Sequence, residues 1–306
     1  MNQIQELKTA GYERVVYCEN TAVGLKAIVA IHNTNRGPAC GGIRVLPYAS
    51  KDEALNDVLR LARGMSYKSA LAGLDFGGGK SVITLDPGNK TRELFQAFGE
   101  FVDSFEGRYI AAKDMNIENQ DLVNTRTRTS HVLGIEGAKG SSGDPSPVTA
   151  RGAFQAMRAT AEYLFGSSRT MRNLNGIGVA IQGIGHVGYC LAELIHEAGG
   201  KLWVSDIDRA VLKKAHERLG AHVVELVDIY DVGCDIFSPC ARGAILNEGT
   251  IGRLKCKAIV GAANNKLMTP ADGLRLHERG VFYAPDYAVN AGGIINIFVE
   301  YGGYEE

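Results

Sequence analysis

Residues 178–188, GVAIQGIGHVG, constrain this chain more than any other stretch. A short apolar run leads straight into glycines at 183, 185 and 188, and a helical apolar pattern continues through Leu191, Leu194 and Ile195. The next apolar run, residues 201–206, ends in Asp206. Strand, glycine turn, helix and acid-ended strand, in that order, form the dinucleotide-binding βαβ unit. Gly183 permits the tight turn out of the strand. Gly185 lets a pyrophosphate lie against the backbone, and Gly188 lets helix and strand pack closely; Val187 belongs to the same turn. The helix N-terminus adds free amides and a positive dipole end for the phosphates. Asp206 can accept hydrogen bonds from the adenosine ribose hydroxyls, and its charge repels a 2′-phosphate, so NAD is expected rather than NADP. Asp208 competes for the ribose role but lies past the expected strand end, and His186 reads as a helix-start residue. A lone GxGxxG also occurs as a strand-to-helix turn that binds nothing; here the setting carries the assignment.

A second feature lies upstream. GMSYK at 64–68 and GGGK at 77–80 bring Lys68 and Lys80 close in sequence, the second directly after three glycines. Lysine anchors a carboxylate as a compact cation and acts as a base when desolvated. Glycines let backbone approach a ligand closely. A site that holds an amino acid's carboxylate and removes a proton from its amine needs both kinds of lysine. The plain alternative is a glycine turn flanked by two solvated lysines.

Strand and helix signals alternate along the chain, which predicts an α/β protein. Strands are expected at 14–18, 25–31 and 81–85. A helix is expected after Ser50, which can cap it with Glu53 three residues on, and others at 92–105 and 148–164. The Gly, Ser and Pro-rich segment 137–147 reads as a hinge between domains. At 306 residues the chain has length for two domains. Lys plus Arg (33) balances Asp plus Glu (34), so bulk charge predicts no nucleic-acid or membrane partner. No apolar run is long enough for a membrane helix. The first residues lack a signal-peptide layout, and the six scattered cysteines read as reduced thiols, neither a disulfide frame nor a metal site. A cytoplasmic protein is expected.

Seven segments together resemble the glutamate/leucine/phenylalanine/valine dehydrogenase superfamily. They are GPACGGIR (37–44), GMSYK (64–68), GGGK (77–80), GDPSPVTA (143–150), SPCA (238–241), GAANN (261–265) and APDYAVNAGGIIN (284–296). The likeness runs in order over nearly the whole chain and is nearest to the leucine, phenylalanine and tryptophan branch. It implies NAD-dependent oxidative deamination of an L-amino acid to its 2-oxo acid and ammonium, in a homo-oligomer. It implies a catalytic domain with a mixed sheet over residues 1–136, a Rossmann NAD-binding domain over 137–284, and a return segment, 285–306, to the first domain. By resemblance Lys68 binds the substrate carboxylate, Lys80 activates water, and Asp114 shuttles protons with Lys80. Gly41 offers backbone contacts near the substrate. Asn264 meets the nicotinamide ribose and the substrate amine, Thr149 meets the carboxamide, and Cys240 and Ala241 line the cofactor.

The resemblance also bears on substrate. Glutamate members carry a lysine at the position of Cys40 and a serine at that of Ile297. Here Cys40, Ala112, Ile294 and Ile297 form the side-chain wall and offer no partner for a second carboxylate, which would be costly to bury alone. An apolar side chain is expected; Leu, Val, Phe and Trp stay open, with Asp114-Met115-Asn116-Ile117 leaning toward the aromatic branch. Lys113 stands where the family often has an acid. The chain ends at Glu306, where the family usually continues in helix. That short end is the basis of the alternative, a non-catalytic paralogue that senses NAD or an amino acid.

Overall fold

The computed structural model describes residues 1–138, 140–166, 173–241 and 243–302; Lys139 of the expected hinge lies outside them. The described chain divides into two compact units: Met1–Asp144 with Ile294–Glu306, and Pro145–Gly293. The sequence placed these boundaries at 136/137 and 284/285. Glu300 accounts for the later first boundary. Its carboxylate accepts from the Gly134 amide and from the Ser142 amide and hydroxyl, and Asn296 donates to Ser142, so residues up to the 140s belong with the terminal helix.

The first unit is one six-stranded mixed sheet. Its strands are β1 (Gln3–Glu6), β2 (Arg14–Asn20), β3 (Leu25–Asn33), β4 (Ala39–Leu46), β5 (Gly77–Thr84) and β6 (Tyr109–Lys113), in spatial order β1-β2-β3-β5-β4-β6. The β4–β5 and β4–β6 pairs are parallel and the rest antiparallel. Helix α1 (Lys51–Leu71) covers one face; α2 (Arg92–Asp103) and α3 (Asn119–Arg126) belong to the other. Strand periodicity divides β3 between them. Leu25, Ala27, Val29 and Ile31 pack with Phe95, Phe98 and Phe101 of α2, whereas Ile28 and Ala30 pack with Ala54, Val58 and Ala62 of α1. Ser50 caps α1, accepting from the Glu53 amide, as expected.

β5 begins earlier than the sequence suggested and takes in all three glycines of GGGK. Their use differs from the expectation of ligand approach: all three are buried and make room for protein. A Cβ on Gly77 would overlap the Asn33 carbonyl, one on Gly78 the Ser66 backbone and hydroxyl of α1, and one on Gly79 would crowd the Tyr109 ring. Only glycine lets α1 lie this close to the sheet.

The second unit is a parallel six-stranded sheet. It holds α4 (Ser146–Phe165), β7 (Gly178–Gln182), α5 (His186–Glu197), β8 (Lys201–Ser205), α6 (Arg209–Leu219), β9 (His222–Val223) and β10 (Ile236–Pro239). α7 (Glu248–Ile251), β11 (Ala258–Ile259), α8 (Pro270–Glu278), β12 (Phe282–Tyr283) and α9 (Asp286–Val289) follow, and α10 (Gly292–Gly302) carries the chain into the first unit's terminal segment. The order β12-β11-β10-β7-β8-β9 is that of the doubly wound dinucleotide fold, with β7 at the point where the strand order reverses. α4, α5 and α6 share one core; α7 and α8 share another with the opposite faces of β7, β10 and β11.

The glycine contact in the first unit predicts opposite signs for one substitution at two positions. Gly78→Ala should lower the unfolding free energy by about 1–3 kcal/mol through overpacking. Gly64→Ala, mid-helix in α1 with open space where its Cβ would lie, should raise it by roughly 0.5–1 kcal/mol. Urea denaturation of both variants checks this, and equal signs would refute the packing account.

Candidate active site

Strand alternation gathers the first unit's chemistry on one side of the sheet. Cys40 and Arg44 of β4, Lys80 of β5 and Ala112 of β6 lie at even positions, as do Ile28, Ala30 and Val82, whose side chains pack with α1. Asp114 follows directly on β6. Lys68 is buried in the last turn of α1. Gly78, two residues before Lys80, touches Ser66, two residues before Lys68, so the two lysines come from elements in direct contact. The turn after β6 holds Asp114 in place. Asn116 there adopts the left-handed conformation, which asparagine tolerates, and its side chain donates to the Val45 carbonyl.

Lys80 and Asp114 meet. Lys80 Nζ lies 2.7 Å from Asp114 Oδ2, which also accepts from Arg44 Nε at 3.1 Å. Arg44 Nη1 reaches Asp57 Oδ2 of α1 at 3.1 Å, and the Tyr48 hydroxyl donates to the same oxygen at 2.7 Å. Burial pushes the Lys80 amine below the ordinary lysine value; Asp114 pulls it back up and Arg44 adds to the fall. For Asp114, burial works toward the neutral acid, but Lys80 and Arg44 outweigh it and hold the carboxyl well below the usual range. The pair is therefore an ionised carboxylate beside an amine eased toward its neutral form. The sequence presents Arg44 only as the last residue of the 37–44 segment. Its signal was a charged residue at an even strand position, facing inward.

The neighbouring positions complete the picture. Gly42 is glycine because a Cβ there would crowd Asp114 Cβ and the Lys113 carbonyl. The Gly41 carbonyl accepts from the buried Tyr109 hydroxyl. Cys40 is fully buried, and burial pushes its thiol up to about 12, so it is an uncharged wall. Lys113 does not add charge to Asp114, since it pairs with Glu136 at 2.7 Å. Ile294 and Ile297 are buried on α10, with Ile297 facing Gly134.

In the second unit the glycine turn is built as its spacing implied. Gly183 has φ +91°, and Gly188 sits so close to the Gly183 carbonyl that a Cβ would overlap it. Cys240 and Ala241 pack on the same turn: the Cys240 amide donates to the Gln182 carbonyl, and Ala241 fills the space beside Gly183. Asp206 follows β8 directly and accepts from the Ile184 amide at 2.7 Å, so the acid stands beside the turn. Asp208 instead caps α6. Gly185 is different from its neighbours. It is exposed, has φ −65°, and its Cβ would enter open space, so packing does not demand glycine there. It precedes a helix N-terminus that no side chain caps. These features fit a phosphate group approaching the backbone. Thr149 lies in the first turn of α4 and donates to the Pro145 carbonyl. Asn264 accepts from the Asn290 side chain at 2.7 Å.

Residues 13–131 match the Glu/Leu/Phe/Val dehydrogenase dimerisation domain, and residues 208–303 match glutamate/leucine/phenylalanine/valine dehydrogenase. A leucine dehydrogenase of Geobacillus stearothermophilus is 48% identical over 99% of this chain and 82% of its own. The chain belongs to the Glu/Leu/Phe/Val dehydrogenase family. A phenylalanine dehydrogenase of Lysinibacillus sphaericus is 49% identical over 98% of this chain and 79% of its own. The crystal structure of L-tryptophan dehydrogenase from Nostoc punctiforme superposes with a TM-score of 0.76 at 42% identity, over 97% of this chain and 84% of that one. This family member is thus an oxidoreductase acting on the CH–NH2 group of an amino acid, and its family uses a nicotinamide cofactor. The non-catalytic alternative is not favoured, since these relatives are dehydrogenases. No helix among the described residues is long and apolar enough to cross a membrane.

Arg44 sets a pH-dependent expectation. Removing its guanidinium takes a repelling charge from Lys80 and leaves Asp114 to Lys80 alone, and both changes raise the Lys80 pKa. A base active when neutral then needs higher pH. In Arg44→Gln the rising limb of kcat against pH should move to higher pH; a limb unmoved or moved lower would contradict the geometry.

Proposed function

We propose that this chain catalyses the reversible NAD-dependent oxidative deamination of an apolar L-amino acid. Amino acid, NAD⁺ and water give 2-oxo acid, ammonium, NADH and a proton. The observation that carries the reading is the buried Lys80–Asp114 contact at 2.7 Å, on the sheet face beneath the helix that bears Lys68. The first unit would hold the amino acid and the second the dinucleotide.

Lys68, a buried cation, would bind the substrate carboxylate. When the dinucleotide is bound, it supplies the hydride acceptor. The iminium left on the substrate is attacked by water, and Lys80, when neutral, takes the proton as the C–O bond forms. Burial shifts Lys80 toward that neutral form, the direction a general base needs. Asp114, held as a carboxylate, would stabilise the ammonium so formed and exchange protons with it. Gly41 would offer backbone contacts, and Cys40, Ala112, Ile294 and Ile297 would line the side chain. All four are uncharged and buried, which supports an apolar substrate.

In the second unit Gly183, Gly185, Val187, Gly188, Cys240 and Ala241 would hold the dinucleotide, Thr149 its carboxamide, and Asn264 the nicotinamide ribose and the substrate amine. Asp206, held beside the glycine turn by the Ile184 amide, would accept from the adenosine ribose, which supports NAD over NADP. A homo-oligomer fits the first unit: β1 is an edge strand with all four residues exposed.

Following NADH absorbance with a panel of L-amino acids tests the reading. Leu, Val, Phe or Trp should be turned over at least ~10²-fold better than Glu, for which these walls offer no charge partner. Lys80→Ala should lower kcat about 10²–10⁴-fold. Turnover of no amino acid, or a Lys80→Ala variant as fast as wild type, would end the proposal. Separately, Asp206→Ser should weaken use of NAD and narrow its kcat/KM advantage over NADP; an unchanged ratio would remove Asp206 from the ribose role.

A further inference from the structure

One buried cation in the second unit is not used by the chemistry above. Lys266 is fully buried, yet no carboxylate lies within ion-pair distance of it among the described residues. Its ammonium donates instead to two main-chain carbonyls, Gly261 at 2.9 Å and Ala284 at 3.1 Å. These carbonyls follow β11 and β12, adjacent parallel strands, at the ends where a doubly wound sheet binds its ligand. Reaching back to Gly261, Lys266 closes the loop that carries Asn264. Asn290 makes a second tie on that loop, donating to the Ala262 carbonyl and to Asn264 Oδ1.

We propose that Lys266 is a positioning residue for the dinucleotide: its ammonium ties the ends of β11 and β12 and so sets the loop that presents Asn264. The inference rests on the reading of the second unit as the dinucleotide site and of Asn264 as a ribose contact. A buried cation without a counter-charge is expensive, and an apolar side chain could fill the same volume. A charged donor does what a neutral one does less well, since charge-assisted hydrogen bonds are about twice as strong. Hence the two carbonyls are held firmly while the ammonium keeps its proton.

That proton is within experimental reach. Burial lowers the Lys266 pKa to about 8, with Asp286 and Cys240 pulling the other way. Among the described residues the facing groups are few. Asp286 at the start of α9 accepts from the Asn265 amide, Cys240 follows β10 with its thiol pushed up by burial, and the Tyr283 ring of β12 lies 5.3 Å away with its hydroxyl also pushed up. Burial favours the uncharged form of both Cys240 and Tyr283. Below that pH the tie is charged and the loop held; above it the tie weakens and dinucleotide affinity falls.

NADH titration by fluorescence from pH 6 to 10, on the full chain, tests this. Wild type should bind steadily at acid and neutral pH and lose about threefold to tenfold in affinity across the Lys266 step. Lys266→Met should bind roughly tenfold more weakly at pH 7 with no step. Lys266→Gln, a neutral donor like the deprotonated amine, should bind at pH 7 about as weakly as wild type does above the step, and show no step of its own. Should Lys266→Met fail to fold, the wild-type profile and Lys266→Gln still decide. A step that persists in either variant, or a fall in Tm with NADH affinity and its profile unchanged, would overturn the proposal as mere structural support. A wild-type chain that binds no NADH at any pH would instead overturn the reading of the second unit, and this inference with it.

Discussion

The contact between α1 and β5 is what the first unit depends on. Gly78 lets the helix backbone reach the strand, and that approach removes water from the sheet face carrying Lys80 and Arg44. Three charges then sit in a space where each alone would be costly, and the arrangement holds because they are mutually satisfied. Asp114 accepts from both cations, and Asp57 with Tyr48 anchors the far side of Arg44. Burial and charge pairing act in opposite directions on Lys80. Burial wins and shifts it toward the neutral form, while the two cations hold Asp114 as a carboxylate.

The second unit solves a different problem with the same residue type. Gly183 and Gly188 are required by the protein's own geometry, one by a positive φ and the other by a carbonyl against it. Gly185 is not, and it opens on space at an uncapped helix start. Around this turn the chain brings in Cys240 and Ala241 from another strand end and Asp206 from the next. The Asn264 loop is stitched by side chains, Asn290 and Lys266, that come from beyond it in sequence.

Much of this was legible beforehand. Ser50 opens α1 because a capping side chain is a local matter, settled within three residues. The βαβ fingerprint was legible for the same reason, since strand, turn and helix are contiguous. The extent of β5 was not: three glycines suggest a turn, because nothing local says that Ser66 of α1, twelve residues before Gly78, will press on that position. The partners of Lys113 and Arg44 were equally hidden. Glu136 and Asp57 are distant in sequence and brought near only by the fold.

By itself the sequence determined many of the elements, the glycine turn, the family and the identities of the reactive side chains, because each is written in neighbouring residues or short spacings. Only the tertiary structure decided the directions in which burial and pairing shift Lys80 and Asp114, the anchoring role of Arg44, the packing use of the GGGK glycines and the burial of Lys266 against two main-chain carbonyls. All four depend on distance and on the exclusion of water, and those exist only once strands far apart in the chain lie side by side.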